Sequence, residues 1–532
     1  MAFWLFVATG LVIWVAHQFK QRYDHFQIFK RFDIPGPPPS LLLGNAWEIN
    51  RIGLLDAQAK WHRQYGAYFG YFLGWEPCLS VSDEKVLKNV LLRDFINFTD
   101  RPDFLTGGSS KTIDKALTSL KGQRWKDLRS TLTPSFTASK LKQASVRWIT
   151  PKNDIAPEMS RIIDEFMENV DKAYATEGRV EEMYDLYQAL TLDTICRTAL
   201  GVGFGVQKDI ANSKLLKQLK MIFSIGLNLF IFLFLSFPLL QKIAAPLLHK
   251  VRFALINRGE DPVQILKTQC SKVVKMRRSN PTTRRMDLLQ LMLDAQSTDG
   301  CGSNIDMHSL IAGDEAEKRQ EANKASGQIS LTASTYETTS STLAFLTRLL
   351  VRFPEVQERL REELIAVTNN GTRFSFESLQ RCQFLEAVIQ ETLRLYPPIH
   401  SFTVRVVAEE KVYGKLIIPK GVALFVSTCE LHKNPEVFPE PHEFCPDRFL
   451  PENRTADSAF FWQPFGAGPR NCIGMRFAQM EIKLTIAKLL TRYRLKAERF
   501  DPLGESKINV EIMAALQKIK DPLSVILVKL DE

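Results

Sequence analysis

Apolar residues recur at helical spacing through most of the chain, and the pattern predicts helices over 156–172, 180–200, 326–350, 354–367, 384–395 and 476–493. Between 41 and about 85 the apolar runs are short and broken by Gly66, Gly70, Gly74 and Pro77, which predicts β-hairpins. Strand-like segments return at 403–428 and near the C-terminus, and there is no internal repeat. The chain therefore reads as mainly α with a smaller β-rich region.

Two stretches depart from this amphipathic pattern. Residues 1–16 carry no charge and are dominated by Phe, Trp, Leu, Val, Ile and Ala, with Lys20, Arg22, Lys30 and Arg31 following. About 16 to 19 apolar residues is near the lower limit for a spanning helix, and a cleaved signal peptide is the competing reading. The basic residues follow the apolar run instead of preceding it, which favours an N-terminal transmembrane anchor over 1–19 and places residue 20 onward in the cytosol. A basic and Pro-rich linker over 20–40 comes next, with Pro35-Gly36-Pro37-Pro38-Pro39 as a semi-rigid spacer, and a globular body fills 41–532. The second stretch, Met221 to Leu240, is rich in Phe but interrupted by Gly226, Asn228, Ser236 and Pro238. It predicts a pair of short helices, buried or dipping into a membrane beside a substrate entrance, in preference to a second span.

Composition narrows the classes. With 532 residues, 45% apolar and 24% charged, the chain is neither a small module nor disordered. Its net charge of +10 favours an anionic partner such as a membrane surface, an acidic protein or a nucleic acid. The basic cluster Lys272, Lys275, Arg277, Arg278, Arg284 and Arg285 reads as a solvated loop, and since no nucleic-acid module accompanies it no nucleic-acid partner is expected. The eight cysteines are scattered with no C-x-x-C pair, so they read as reduced thiols facing cytosol.

Candidate chemistry concentrates at Phe465-Gly466-Ala467-Gly468-Pro469-Arg470-Asn471-Cys472-Ile473-Gly474, which precedes a helix starting near Met475. A lone cysteine is ordinarily a small core residue. Here three glycines permit the close backbone approach and positive φ that a loop laid against a flat cofactor needs. The helix beyond it offers unpaired N–H groups and the positive end of a dipole, both of which favour a thiolate.

The pattern F-x-x-G-x-R-x-C-x-G is the heme-binding signature of the cytochrome P450 family, and the whole chain resembles that family. Trp125-Lys126-Asp127-Leu128-Arg129 resembles its W-x-x-x-R, Glu391-Thr392-Leu393-Arg394 its E-x-x-R, and Pro446-Asp447-Arg448-Phe449 its P-E-R-F, all in the family's order. Trp125 and Arg129 are i,i+4 on one helical face, where an indole N–H and a guanidinium can both reach a heme propionate. The resemblance implies heme b with Cys472 as axial iron ligand, cofactor contacts from Trp125, Arg129, Arg405, Phe465, Gly468, Arg470 and Gly474, and an ion network joining Glu391, Arg394 and Arg448. Ser334-Thr335-Tyr336-Glu337-Thr338-Thr339 resembles the family's A-G-x-E-T-T, which implies that Glu337 and Thr338 deliver protons to bound dioxygen. The sequence departs from that pattern at Ser334 and Thr335.

By the same resemblance the fold is the cytochrome P450 fold, with a mainly helical body and a smaller β-rich region near the N-terminus. The likeness is to the animal microsomal branch that includes thromboxane synthase and broad-specificity xenobiotic hydroxylases. It implies a heme-thiolate monooxygenase in the endoplasmic reticulum membrane, single-pass, with its catalytic domain facing the cytosol. Electrons come from an NADPH-dependent flavoprotein reductase, with cytochrome b5 as an optional second partner. A lipophilic substrate is expected to touch Phe104, Leu105, the Phe-rich segment, the residues just before Thr335, Ile399 to Thr403, Met513 and Ala514. The alternatives are a peroxide or endoperoxide isomerase of the same fold and a non-catalytic heme- or lipophile-binding paralogue.

Overall fold

A computed structural model of the chain describes residues 2–103, 117–136, 155–223, 229–237, 268, 272–277, 279–280, 290, 336–369, 371, 374–400, 403–497, 508–513 and 516–530. Six helices carry or frame the functional residues: α1 (Ala2–Phe26), α2 (Gly122–Leu132), α3 (Met183–Ile195), α4 (residues 336–352), α5 (Gln383–Leu395) and α6 (Met475–Arg492). Between 336 and 350 only Thr338 and Arg348 are less than fully buried, so α4 runs through the middle of the molecule. Helix α6 is likewise buried from Phe477 to Leu490 on nearly every face. Helix α5 stops at Leu395 because Pro397 and Pro398 disfavour helical geometry in the residues before them.

Strands β1 (Tyr68–Leu73), β2 (Glu76–Val81), β3 (Val404–Val406) and β4 (Ala423–Val426) form one sheet in the order β1-β2-β4-β3. β1 and β2 are an antiparallel hairpin with Leu73 opposite Glu76, while β2 and β4 run parallel with Cys78 opposite Ala423. The β-rich region is thus not confined to the N-terminus, because half of this sheet arrives from beyond residue 400. Nor is 41–66 made of hairpins. Ala46–Ile52 and Leu54–Tyr65 are helices separated by Gly53, and burial of Ala57, Gln58, Trp61 and His62 on one face follows the i,i+4 rule.

The Phe-rich segment contributes the short helix Leu229–Ser236, preceded by Lys214–Phe223. Phe232 is fully buried against Ala46, Ile49 and Tyr71, and the Leu235 carbonyl accepts the Trp75 N–H (2.9 Å). Gly74, at φ +66, makes this docking possible: a Cβ there would lie 2.5 Å from the Leu235 carbonyl carbon.

Among the described residues no helix is long and apolar enough to cross a membrane. Helix α1 exposes Trp4, Phe6, Val12, Ile13 and Trp14, yet its second half bears Lys20, Arg22 and Asp24. That half is built into the body. Arg22 is buried, donates to the carbonyls of Leu41, Leu42 and Ser236, and covers the rings of Trp75 and Phe237. His25 stacks on Trp75 at 3.9 Å, and the Pro35 carbonyl accepts the Gly70 N–H (2.8 Å), so residues 22–35 are packed against the β1–β2 hairpin.

Candidate heme-thiolate site

The loop before α6 closes on itself through three backbone hydrogen bonds: Gly466 N–H to Gln463 O (3.0 Å), Asn471 N–H to Gly468 O (3.0 Å) and Cys472 N–H to Phe465 O (2.8 Å). Gly468 has φ +74, and a Cβ on it would fall 2.2 Å from the Leu91 carbonyl oxygen, so no other residue fits.

Phe465, Arg470, Cys472 and Gly474 open onto a cavity of about 1110 Å³, part of it continuous with solvent. Gly474 differs from the other two glycines of the loop. Its φ is −86 and a Cβ there would meet nothing within 4 Å, so the need for positive φ expected from sequence holds for Gly466 and Gly468 but not for Gly474. Because Gly474 lines the cavity, its bare backbone is a cradle that a Cβ would fill.

Helix α2 brings Trp125 and Arg129 to the same wall, as their i,i+4 spacing predicts; Thr338, Thr339 and Thr342 of α4 and Leu393 of α5 complete it. Arg129 donates to both the backbone carbonyl (2.9 Å) and the side-chain oxygen (2.7 Å) of Asn471, so it holds the cysteine loop as well as facing the cavity. The Arg470 guanidinium lies 4.5 Å above the Trp125 ring.

Positive charge is gathered at this wall. Burial pushes Arg101 down to about 10 and Arg470 down to about 9, and it lowers Arg405 and Arg129 as well. Arg101 and Arg470 each depress Arg405 further. Arg405, on β3, is not among the residues that line the cavity but is close enough to Arg101 and Arg470 to feel their charge, with one N–H on the Val404 carbonyl (2.8 Å) and its Nε without a partner among the described residues. Two nitrogens of Arg470, Nε and one terminal amine, are buried and equally unmet. A buried cationic cluster of this kind is complete only with an anionic group beside it, and a cofactor bearing two carboxylates fits. Arg101 was not expected from the sequence, because it belongs to no spaced motif.

The thiol does not behave as the helix-dipole argument expects. Burial pushes the Cys472 thiol up, outweighing the Gly474 N–H and the arginines that pull it down. Two residues separate Cys472 from the first turn of α6, so the dipole acts weakly. Coordination by a metal would itself deprotonate the sulfur.

Glu391 and Arg394 form a fully buried pair on α5, at 2.7 and 2.8 Å. Glu391 also accepts from Arg448 (3.2 Å) and from the Cys445 N–H (2.9 Å). Arg394 reaches the carbonyls of His432, Pro441 and Glu443, so the pair fastens the irregular segment that leads into the cysteine loop. His432 extends this fastening: it donates from Nδ1 to the Arg394 carbonyl (3.0 Å) and accepts the Gln463 N–H at Nε2 (2.9 Å). Burial keeps it neutral, with its pKa down to about 3.

Of the two expected proton carriers, the structure brings Thr338 to the cavity but not Glu337. The Glu337 carboxylate is buried on another face of α4, where it accepts from Tyr184 and Gln188 of α3. Ser334 and Thr335 lie outside the described residues, as do Phe104, Leu105, Ala514 and, within the 399–403 span, residues 401 and 402. Ile399 lines the cavity; of Met513 only the strand position is described.

A half-buried cysteine in a glycine-shaped loop, beside a cluster of buried arginines, fits an iron porphyrin held by a thiolate. The cytochrome P450 family model matches residues 34–520, and the chain belongs to that family of heme-thiolate monooxygenases. It is similar to cytochrome P450 3A13 of Mus musculus and to cytochrome P450 3A9 of Rattus norvegicus. Each is 30% identical over 100% of this chain and 97% of the relative. Cytochrome P450 3A29 of Sus scrofa is 31% identical over 96% of this chain and 93% of its own length.

Proposed function

We propose that the protein inserts one oxygen atom from dioxygen into a lipophilic small molecule of the xenobiotic class. Electrons would come from an NADPH-dependent flavoprotein reductase, with cytochrome b5 as an auxiliary donor. The observation that carries this reading is the joining of Cys472, Arg101 and Arg470 to one cavity with apolar walls. Heme, when bound, supplies the activation of dioxygen, which thiolate ligation favours by pushing electron density toward the O–O bond. Cys472 would be the iron ligand, and Arg101, Arg470 and Trp125, with Arg405 adding positive charge nearby and Arg129 holding the loop, would receive the propionates. Leu393, Ile399 and Ile482 exclude water, and Glu337 with Thr338 carry protons inward.

The reduced protein with carbon monoxide is expected to show the long-wavelength absorption band of thiolate-ligated heme, and Cys472→Ala to lose both that band and most of its heme. A normal band in the variant would overturn the assignment. NADPH consumption with added reductase, measured together with oxygenated product, separates the monooxygenase from an isomerase or a passive carrier.

The full assignment includes an anchor at 1–19, a linker at 20–40 and a catalytic domain at 41–532 facing the cytosol from the endoplasmic reticulum membrane. Three Asn-x-Ser/Thr acceptors test the orientation. Asn97 is uninformative, since its amide is buried and paired with the backbone of Glu409 (2.8 and 2.7 Å), and Asn370 lies outside the described residues. Asn453 is exposed and is the reporter: it is expected to stay unmodified in microsomes, and a glycan there would invert the topology.

A further inference from the structure

The Glu337 carboxylate occupies a polar pocket of its own, away from the cavity. Tyr184 Oη donates to one oxygen (2.7 Å) and Gln188 Nε2 to the other (3.0 Å). These donors lie one turn apart on α3, so they meet the carboxylate as the two jaws of a clamp. Having given its hydrogen to Glu337, the Tyr184 oxygen accepts from Ser341 Oγ (2.9 Å), one turn beyond Glu337 on α4. The two helices are pinned on either side: Thr191 donates to the Tyr336 carbonyl (2.9 Å), and Tyr187 meets Thr347 (2.7 Å). Thr338 is the very next residue, yet one step along a helix turns the side chain by roughly 100°. Thr338 therefore lines the cavity while Glu337 does not.

We infer that Tyr184 and Gln188 are positioning residues that hold Glu337 in a withdrawn state, and that proton supply to the cavity is gated by release of this clamp. The inference rests on the proposed role of Glu337 and Thr338 as proton carriers. In each passage the Glu337 carboxylate takes up one proton from solvent, swings to the Thr338 side and gives that proton up there, and then returns unprotonated to the clamp, so that the solvent proton is delivered with no net change in Glu337. Tyr184 keeps its own hydrogen throughout, because burial, and then the adjacent carboxylate, push its ionisation well above the ordinary phenol range. Neutral donors suit a part that must open repeatedly. The same protein shows the contrast in Glu391, which is locked by two arginines and fixes structure.

Two readouts on the heme-loaded enzyme test the clamp. The infrared carboxylate band of Glu337 in the resting state is the one missing from Glu337→Gln, and in Tyr184→Phe it is expected to shift. The solvent deuterium isotope effect on kcat is expected to fall toward unity in Tyr184→Phe with KM unchanged, because a gate on proton supply has been loosened. An unshifted band overturns the clamp at its geometric root. An unchanged isotope effect in Tyr184→Phe, where Glu337→Gln does alter it, overturns the gate and leaves the proton-carrying reading standing. If Glu337→Gln leaves the isotope effect unaltered, that reading itself falls and takes the inference with it. Gln188→Leu removes the other jaw, is read in the same way, and decides the matter if Tyr184→Phe does not fold.

Discussion

Arg394→Leu is expected to cost roughly 3 to 5 kcal/mol of stability and to release heme, because it strands the Glu391 carboxylate in the interior without its closest counter-charge. Arg394 uses every donor it has. A guanidinium has five N–H donors. Here Nε and one terminal hydrogen go to Glu391, and the other three go to the carbonyls of His432, Pro441 and Glu443. Lysine at this position keeps the charge but offers three donors from a point, so Arg394→Lys is expected to lose heme as well, though less completely. Glu391→Gln combined with Arg394→Leu removes the stranded charge but still leaves three carbonyls unmet, and is expected to recover only part of the loss. The exposed Lys60–Glu48 pair, at a similar distance of 2.6 Å, is the control: Lys60→Ala is expected to change stability by about 1 kcal/mol or less. Denaturant midpoints and heme content after gel filtration read all four variants. Equal losses in Arg394→Leu and Lys60→Ala would refute the claim that burial makes the difference.

Local features of this network and of the heme site could be read from the sequence, and long-range ones could not. Trp125 and Arg129 on one face of α2, or Glu391 and Arg394 on one face of α5, follow from helical spacing alone. The cysteine loop was legible because Gly466 and Gly468 take the positive φ that the spacing implies, and Gly468 sits where backbone meets backbone at Leu91. Helices at 46–52 and 54–65 were missed because Gly53 and Gly66 cut the apolar pattern into pieces shorter than a reliable helical window. Arg101 left no periodic trace. Its place near the cavity is set by the chain around it, where the Val406 N–H bonds to the Asp100 carbonyl (2.7 Å) and the Ala408 N–H to the Asn97 carbonyl (3.0 Å). His432 and the Tyr184–Glu337 contact belong to the same class: partners 31 to 153 positions apart, joined by the fold and not by any spacing.

Glu481→Gln is expected to stabilise the protein, by an amount that grows with pH. Glu481 is fully buried on α6 beside the cavity-lining Ala478 and Ile482. Burial pushes its carboxyl up to about 8; Thr194 is near enough to ease this a little, yet neither oxygen makes a well-formed hydrogen bond among the described residues. A carboxyl whose folded pKa lies above its unfolded one near 4.5 costs nothing while it is protonated in both states. As pH rises past the unfolded value, the unfolded chain gives up its proton and the folded chain keeps it, so stability falls until the folded group also ionises near 8. At about 1.4 kcal/mol per pH unit, the wild type is expected to forfeit about 3 kcal/mol by neutral pH relative to acid conditions, as an upper figure. Glutamine has the same shape and never ionises, so its gain over the wild type is small near pH 5 and largest near pH 8. Guanidinium unfolding at those two pH values, followed by tryptophan fluorescence, reads the difference directly. A gain of the same size at both would show that Glu481 enters the fold already ionised, stabilised by a partner that its immediate surroundings do not reveal.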